Sequence, residues 1–75
     1  MNINENPASS ASQNEQIKEY LEQGNTLTAL EALELFGCMR LPSRIHDLKR
    51  RGMYIIREMI ITASGKRVAQ YSLGA

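Results

Sequence analysis

The chain has no tryptophan, one cysteine, two prolines, and only three tyrosines and one phenylalanine among its 75 residues. A core without Trp must be built from aliphatic side chains. In a chain this short, which buries only about 60% of its unfolded surface, that core is thin. Cys38 alone excludes an internal disulfide, and no Cys/His cluster is present to ligate a metal, so neither usual staple of a small domain is available and a reducing cytoplasm is the expected setting. The first residues, MNINENPASSASQNE, have neither the basic start nor the apolar stretch of a secretory leader. No later run is long enough to span a bilayer, so no membrane partner is expected. Chemistry is scarce too. His46 is the only histidine, and no nucleophile with a base, paired carboxylates, phosphate-binding loop or metal set can be assembled, which excludes an enzyme or a cofactor-dependent protein.

What is present is an uneven distribution of charge. The formal net charge is only +1. Residues 1–39 carry six acids (Glu5, Glu15, Glu19, Glu22, Glu31, Glu34) against Lys18 alone. From residue 40 onward Arg40, Arg44, Lys49, Arg50, Arg51, Arg57, Lys66 and Arg67 face only Asp47 and Glu58. The second half is suited to meet an anion, and nucleic acid is the commonest large anion in a cell.

The Asn- and Ser-rich residues 1–11 lack apolar periodicity and read as a flexible tail, leaving one domain over residues 12–75. Ser12 and Glu15 form the pattern of a capping box that opens a first helix. Ile17, Tyr20 and Leu21 share one face of it, and Gly24 ends it. Thr28 and Glu31 repeat the cap, with Leu27 placed as a hydrophobic staple before a short second helix. There Leu30, Leu33 and Phe36 are the expected apolar face, Ala29 and Ala32 permit close approach, and Gly37 stops the helix. Cys38, Met39 and Arg40 make a short turn, with Cys38 and Met39 expected to pack beneath it. Pro42 suits the first turn of a third helix and Gly52 the residue after its end, so this helix spans about 42–51. Leu41, Ile45 and Leu48 cluster on one side of it. Ser43, Asp47 and Arg50 lie nearly opposite, flanked by Arg40, Arg44, His46 and Arg51.

From Met53 to Thr62 and from Arg67 to Leu73 the residues favour extended structure, with Ser64-Gly65 between them, which predicts a β-hairpin. Ala69, Tyr71 and Leu73 read as inward. Ile55, Ile56, Met59, Ile60 and Ile61 offer apolar residues to both faces, a pattern that a bulge near Arg57 would reconcile. The fold class is therefore α+β, three helices followed by a two-stranded hairpin.

That order, together with Leu27-Thr28-Ala29-Leu30-Glu31-Ala32, Gly37-Cys38-Met39-Arg40-Leu41, Ser43-Arg44-Ile45, Asp47-Leu48, Arg51-Gly52 and Gly65-Lys66-Arg67-Val68-Ala69 with Tyr71, resembles the phage-associated helix-turn-helix proteins of many prophages. The resemblance runs from Asn14 to Leu73. It implies a winged helix-turn-helix whose third helix enters the major groove of double-stranded DNA while the hairpin wing reaches backbone or minor groove. On that reading Arg40, Ser43 and Arg44 meet bases or phosphates at the start of the third helix. His46, Arg50 and Arg51 continue the surface, and Lys66 and Arg67 supply the wing. An acid repels phosphate, so Asp47 either accepts from a cytosine amino group or forms an ion pair with an arginine one helical turn away, the latter being the simpler role. The expected setting is the nucleoid of a bacterial host. Transcription regulation, an architectural role in phage excision or DNA packaging, and binding to a host protein all remain open. So does a homodimer.

Overall fold

The computed structural model describes residues 10–74. Along the chain run α1 (Ser10–Glu22), β1 (Leu27–Thr28), α2 (Ala29–Phe36), α3 (Leu41–Arg50), β2 (Ile55–Ile61) and β3 (Arg67–Leu73). The three helices and the hairpin are those expected from the sequence, and the class is α+β. For residues 1–9, the expected flexible tail lies outside the described residues. α1 begins two residues earlier than the sequence indicates, so Ser12 stands within the helix and is not its cap.

The hairpin is not alone. β1 pairs antiparallel with β3 through Leu27↔Tyr71 and Thr28↔Gln70, giving a three-stranded sheet in the order β1-β3-β2. The cause is local: a helix cap has extended backbone, Thr28 lies at φ −106° and ψ 168°, and its neighbour Leu27 is carried into strand geometry. Two residues are too few to leave a period in the sequence. Their pairing nevertheless ties the start of α2 to the base of the hairpin.

The second capping box forms as expected. The Glu31 backbone N–H donates to Thr28 Oγ1 at 3.3 Å, and the Thr28 N–H donates to Glu31 Oε1 at 2.9 Å. Thr28→Ala is expected to lower stability by about 1 kcal/mol, read as a shift in urea midpoint at constant slope. At the far end of α3 the Gly52 N–H donates to the Lys49 carbonyl (3.0 Å) and the Met53 N–H to the Leu48 carbonyl (3.2 Å). With Gly52 at φ 98°, this is a Schellman stop, which needs a left-handed residue at that position.

Ile17, Leu21, Leu27, Ala32, Cys38, Leu41, Ile45, Leu48, Ile55 and Tyr71 form the buried core. Helix α2 enters it differently from expectation. Ala32 is its buried residue, whereas Leu30 and Leu33 are exposed and Phe36 is only partly covered. Six of the eight residues of α2, ALEALELF, are apolar, so apolar spacing alone does not pick the inner face. The close approach of the helix selects the small side chain. Phe36 instead meets the Tyr20 ring edge-on, with centroids 5.5 Å apart. In the turn, Cys38 is buried but Met39 is 85% exposed, so only one of the pair packs beneath it.

The β2–β3 register is unbroken from Ile55↔Leu73 to Ile61↔Arg67, with no bulge at Arg57. Only Ile55 of β2 is buried. Beyond it the ribbon leaves the core, so apolar residues on both faces need no backbone adjustment. At the tip the Gly65 N–H closes on the Thr62 carbonyl at 2.9 Å and the Thr62 N–H on the Lys66 carbonyl at 2.8 Å. Gly65 supplies the positive φ, 88°, that this hairpin turn requires.

Candidate nucleic-acid interface

The backbone of α3 is the frame of the site. At about 100° per residue its side chains fall into four lines. Leu41, Ile45 and Leu48 are buried and seat the helix on the core. The outermost line, directly opposite, carries Ser43, His46 and Arg50; His46 and Arg50 are exposed and Ser43 half-exposed. Arg40, at the N-cap position, is exposed and makes no side-chain cap.

The third line faces α1. Arg44 Nη2 lies 3.3 Å from Asp47 Oδ2, with side chains 17% and 35% exposed. The ion pair expected for Asp47 is thus formed with Arg44, and it holds the guanidinium low against the helix seam. Asn14, 3% exposed, donates from Nδ2 to the same Asp47 oxygen at 3.5 Å. Its Oδ1 has no partner among the described residues. Nearby, Arg51 Nη1 is 3.9 Å from Glu15 Oε2, a solvent-exposed pair that contributes little to stability. Gln13, also buried, donates to the Gly37 carbonyl at 3.2 Å. Two amides of α1 therefore hold the turn and α3 in place, one at each end.

The fourth line faces the hairpin. Pro42 lines a groove of about 530 Å³ whose other walls are Thr28 and Leu30 at the start of α2 and Thr62, Lys66 and Ala69 of the hairpin. Lys49, seven residues after Pro42 and hence on the same flank, is exposed. Lys66 and Arg67 are exposed at the hairpin tip, and Lys66 lines this groove together with Pro42.

Register adds one more cation. Side chains alternate along a strand, so Arg57, paired with Tyr71, shares a sheet face with Arg67, paired with Ile61. That face is turned toward the helices, because Ile55 and Tyr71 on it are buried. Lys49 and Arg57 were not among the site residues read from the sequence. Lys49 also stands in the last turn of α3, where a cation complements the helix dipole, so its charge alone does not mark it as a site residue. For Arg57 no signal preceded the register.

Among the described residues no three His, Cys, Asp or Glu side chains gather as a metal set. The arrangement offers donors and positive charge over a surface.

A helix-turn-helix formed by α2 and α3, buttressed by α1 and flanked by a projecting hairpin, defines a winged helix-turn-helix. Residues 12–75 match the family model of the winged helix-turn-helix domain. The chain belongs to that family. Such domains are DNA-binding and not typically enzymatic, which suggests DNA binding here. No curated protein and no solved structure matches the chain significantly. No described helix is long and apolar enough to cross a membrane.

Proposed function

We propose that the protein binds duplex DNA as a transcriptional regulator of the phage-associated kind, working at the nucleoid of a bacterial host. In this reading α3 enters the major groove, which admits one α-helix. Ser43 and Arg50 on its outermost line read base edges, with Arg40 at its entrance. His46, Lys49 and Arg51 contact the adjoining phosphates, and Lys66 and Arg67 hold the flanking strand from the wing. The observation that carries the reading is the outer line of α3, where His46 and Arg50 are exposed, with the exposed Lys66 of the wing lining the groove that borders the helix at Pro42.

The free edge of β2 bears on whether the chain acts alone. A two-fold axis perpendicular to the sheet pairs residues of equal parity. Centring it on the strand IIREMII sets Glu58 against Glu58, and like charges directly opposite are unfavourable. A shift of one residue sets Arg57 against Arg57 in one direction and Met59 against Met59 in the other, so a homodimer through this edge is open only in the latter register.

The test is selection of bound sequences from a random duplex library at a stated low salt. A recovered motif is expected, and Arg50→Ala is expected to weaken binding to it by about 1–3 kcal/mol while relaxing preference at one base position. Absence of salt-sensitive binding to any duplex would overturn the reading. Recovery of attachment or packaging sites in place of promoters would favour the architectural role. A host-protein contact has one observation in its favour, the exposed Leu30, Leu33 and Leu35 of α2. It would gain only if the protein ignored DNA at low salt and co-purified with a host protein.

A further inference from the structure

We infer that Asp47 is a positioning residue that withholds Arg44 from DNA and so limits the affinity of α3 for duplexes of arbitrary sequence; the inference rests on the DNA-binding reading above. Among the exposed and half-exposed cations of α3, Arg44 is the one whose side chain is mostly covered, at 17% exposure. It does not lie on the outermost line. Asp47 falls between Arg44 and that line on the helix surface and is the more exposed of the two, at 35%. Its carboxylate therefore stands on the outer side of the guanidinium, where an approaching phosphate oxygen would otherwise bind.

The carboxylate is itself fixed from behind. The nearly buried Asn14 donates to the Asp47 oxygen that also meets Arg44. A cleft lined by Asn14, Asp47, Arg50 and Arg51 surrounds the acid, so Asp47 is an internal anion set among three arginines. An acid kept by surface solubility alone would not need a buried amide from another helix.

The consequence is a division of labour on α3. Phosphate contacts add affinity without sequence information, whereas contacts to base edges specify. Neutralising Arg44 internally removes one general contact and leaves the outermost line to discriminate. The ion pair also contributes to the α1–α3 seam, so the test must separate holding the fold from restraining a cation.

The experiment measures binding of a random-sequence duplex as a function of salt for the wild type, Asp47→Asn, Asp47→Asn with Arg44→Gln, and Glu19→Gln. Glu19→Gln raises the net charge equally from an exposed position on α1. Each phosphate contact steepens the plot of log K against log salt by about 0.9, which is roughly an eightfold change in affinity between 1 M and 0.1 M salt. Asp47→Asn is expected to bind random DNA about eightfold more tightly at 0.1 M salt, with the slope steeper by about 0.9. The added Arg44→Gln should cancel both changes, and Glu19→Gln should reproduce neither. A purely structural role would leave the slope unmoved. If the amide variant fails to fold, Asp47→Ser is read in its place. Wild-type binding without a gain in the Asp47 variant, a gain that survives loss of Arg44, or an equal gain from Glu19→Gln overturns the inference and leaves the DNA-binding reading standing. Salt-sensitive binding by none of the four proteins overturns both.

Discussion

Leu48→Ala is expected to destabilise the domain by about 3–4 kcal/mol, enough to leave a substantial unfolded population at 25 °C. Leu48 is fully buried, on the α3 line that seats against the core with Leu41 and Ile45. A leucine truncated there loses the transfer free energy of its methyl groups and leaves a cavity that close-packed neighbours fill only partly. The size of the consequence follows from the size of the chain. At roughly 0.05–0.15 kcal/mol per residue, a domain of this length has about 3–10 kcal/mol in hand. One buried leucine can therefore represent a third of the total or all of it. Urea unfolding followed by far-ultraviolet circular dichroism checks this. A loss below about 1 kcal/mol would mean that α3 is not held by that seam, and the placement of the outer line would lose its support.

The same seam shows what the sequence can and cannot carry. The inner line of α3 was legible because Leu41, Ile45 and Leu48 recur at helical spacing among polar residues, so only one side could be buried. The inner line of α2 was not, because apolar residues occupy most of that helix and the choice between Leu30, Leu33 and Ala32 is made by how closely the neighbouring helices approach. Thr28 and Gly52 were legible as punctuation, each required by backbone geometry at a helix end. Leu27 was read as a local staple; its other role, pairing with Tyr71, depends on a residue 44 positions later. The bulge expected near Arg57 failed for a related reason. Alternation reports a half-buried strand, and most of β2 stands clear of the core.

The candidate site divides along the same boundary. That Ser43 and Arg50 lie opposite the buried line follows from helical phase alone; Asp47, read with them, is instead drawn into the ion pair with Arg44, and His46, read as a flank, is exposed beside them. That Asp47, the ion-pair partner of Arg44, is also met by Asn14 does not follow from phase, since Asn14 arrives from α1, 33 residues before Asp47. The sequence shows the cations of the wing, yet only the β2–β3 register places Arg57 on the same sheet face as Arg67. Properties set within one element are readable, and those set between elements wait for the fold.

The wing carries the largest expected effect on binding. Lys66 and Arg67 are exposed at the end of a ribbon that has left the core, and the hydrogen bonds that close the tip use the Lys66 backbone, not its side chain. Replacing both with alanine should therefore leave the denaturation midpoint within about 0.5 kcal/mol of wild type. The binding change is of another order. Two lost phosphate contacts reduce the salt slope by about 1.8 and the affinity at 0.1 M salt by roughly 60-fold relative to 1 M, to the same degree for selected and random duplexes. Arg50→Ala should instead weaken the selected sequence more than the random one, because a base contact is lost along with its charge. The two variants measured on both duplexes therefore form a two-by-two comparison. If the wing variant lost affinity only for the selected duplex, its cations would be reading sequence and the roles assigned to wing and helix would have to be exchanged. If it lost none, the ribbon would lie clear of the DNA, and the groove between Pro42 and Lys66 would not be the place where the strand passes.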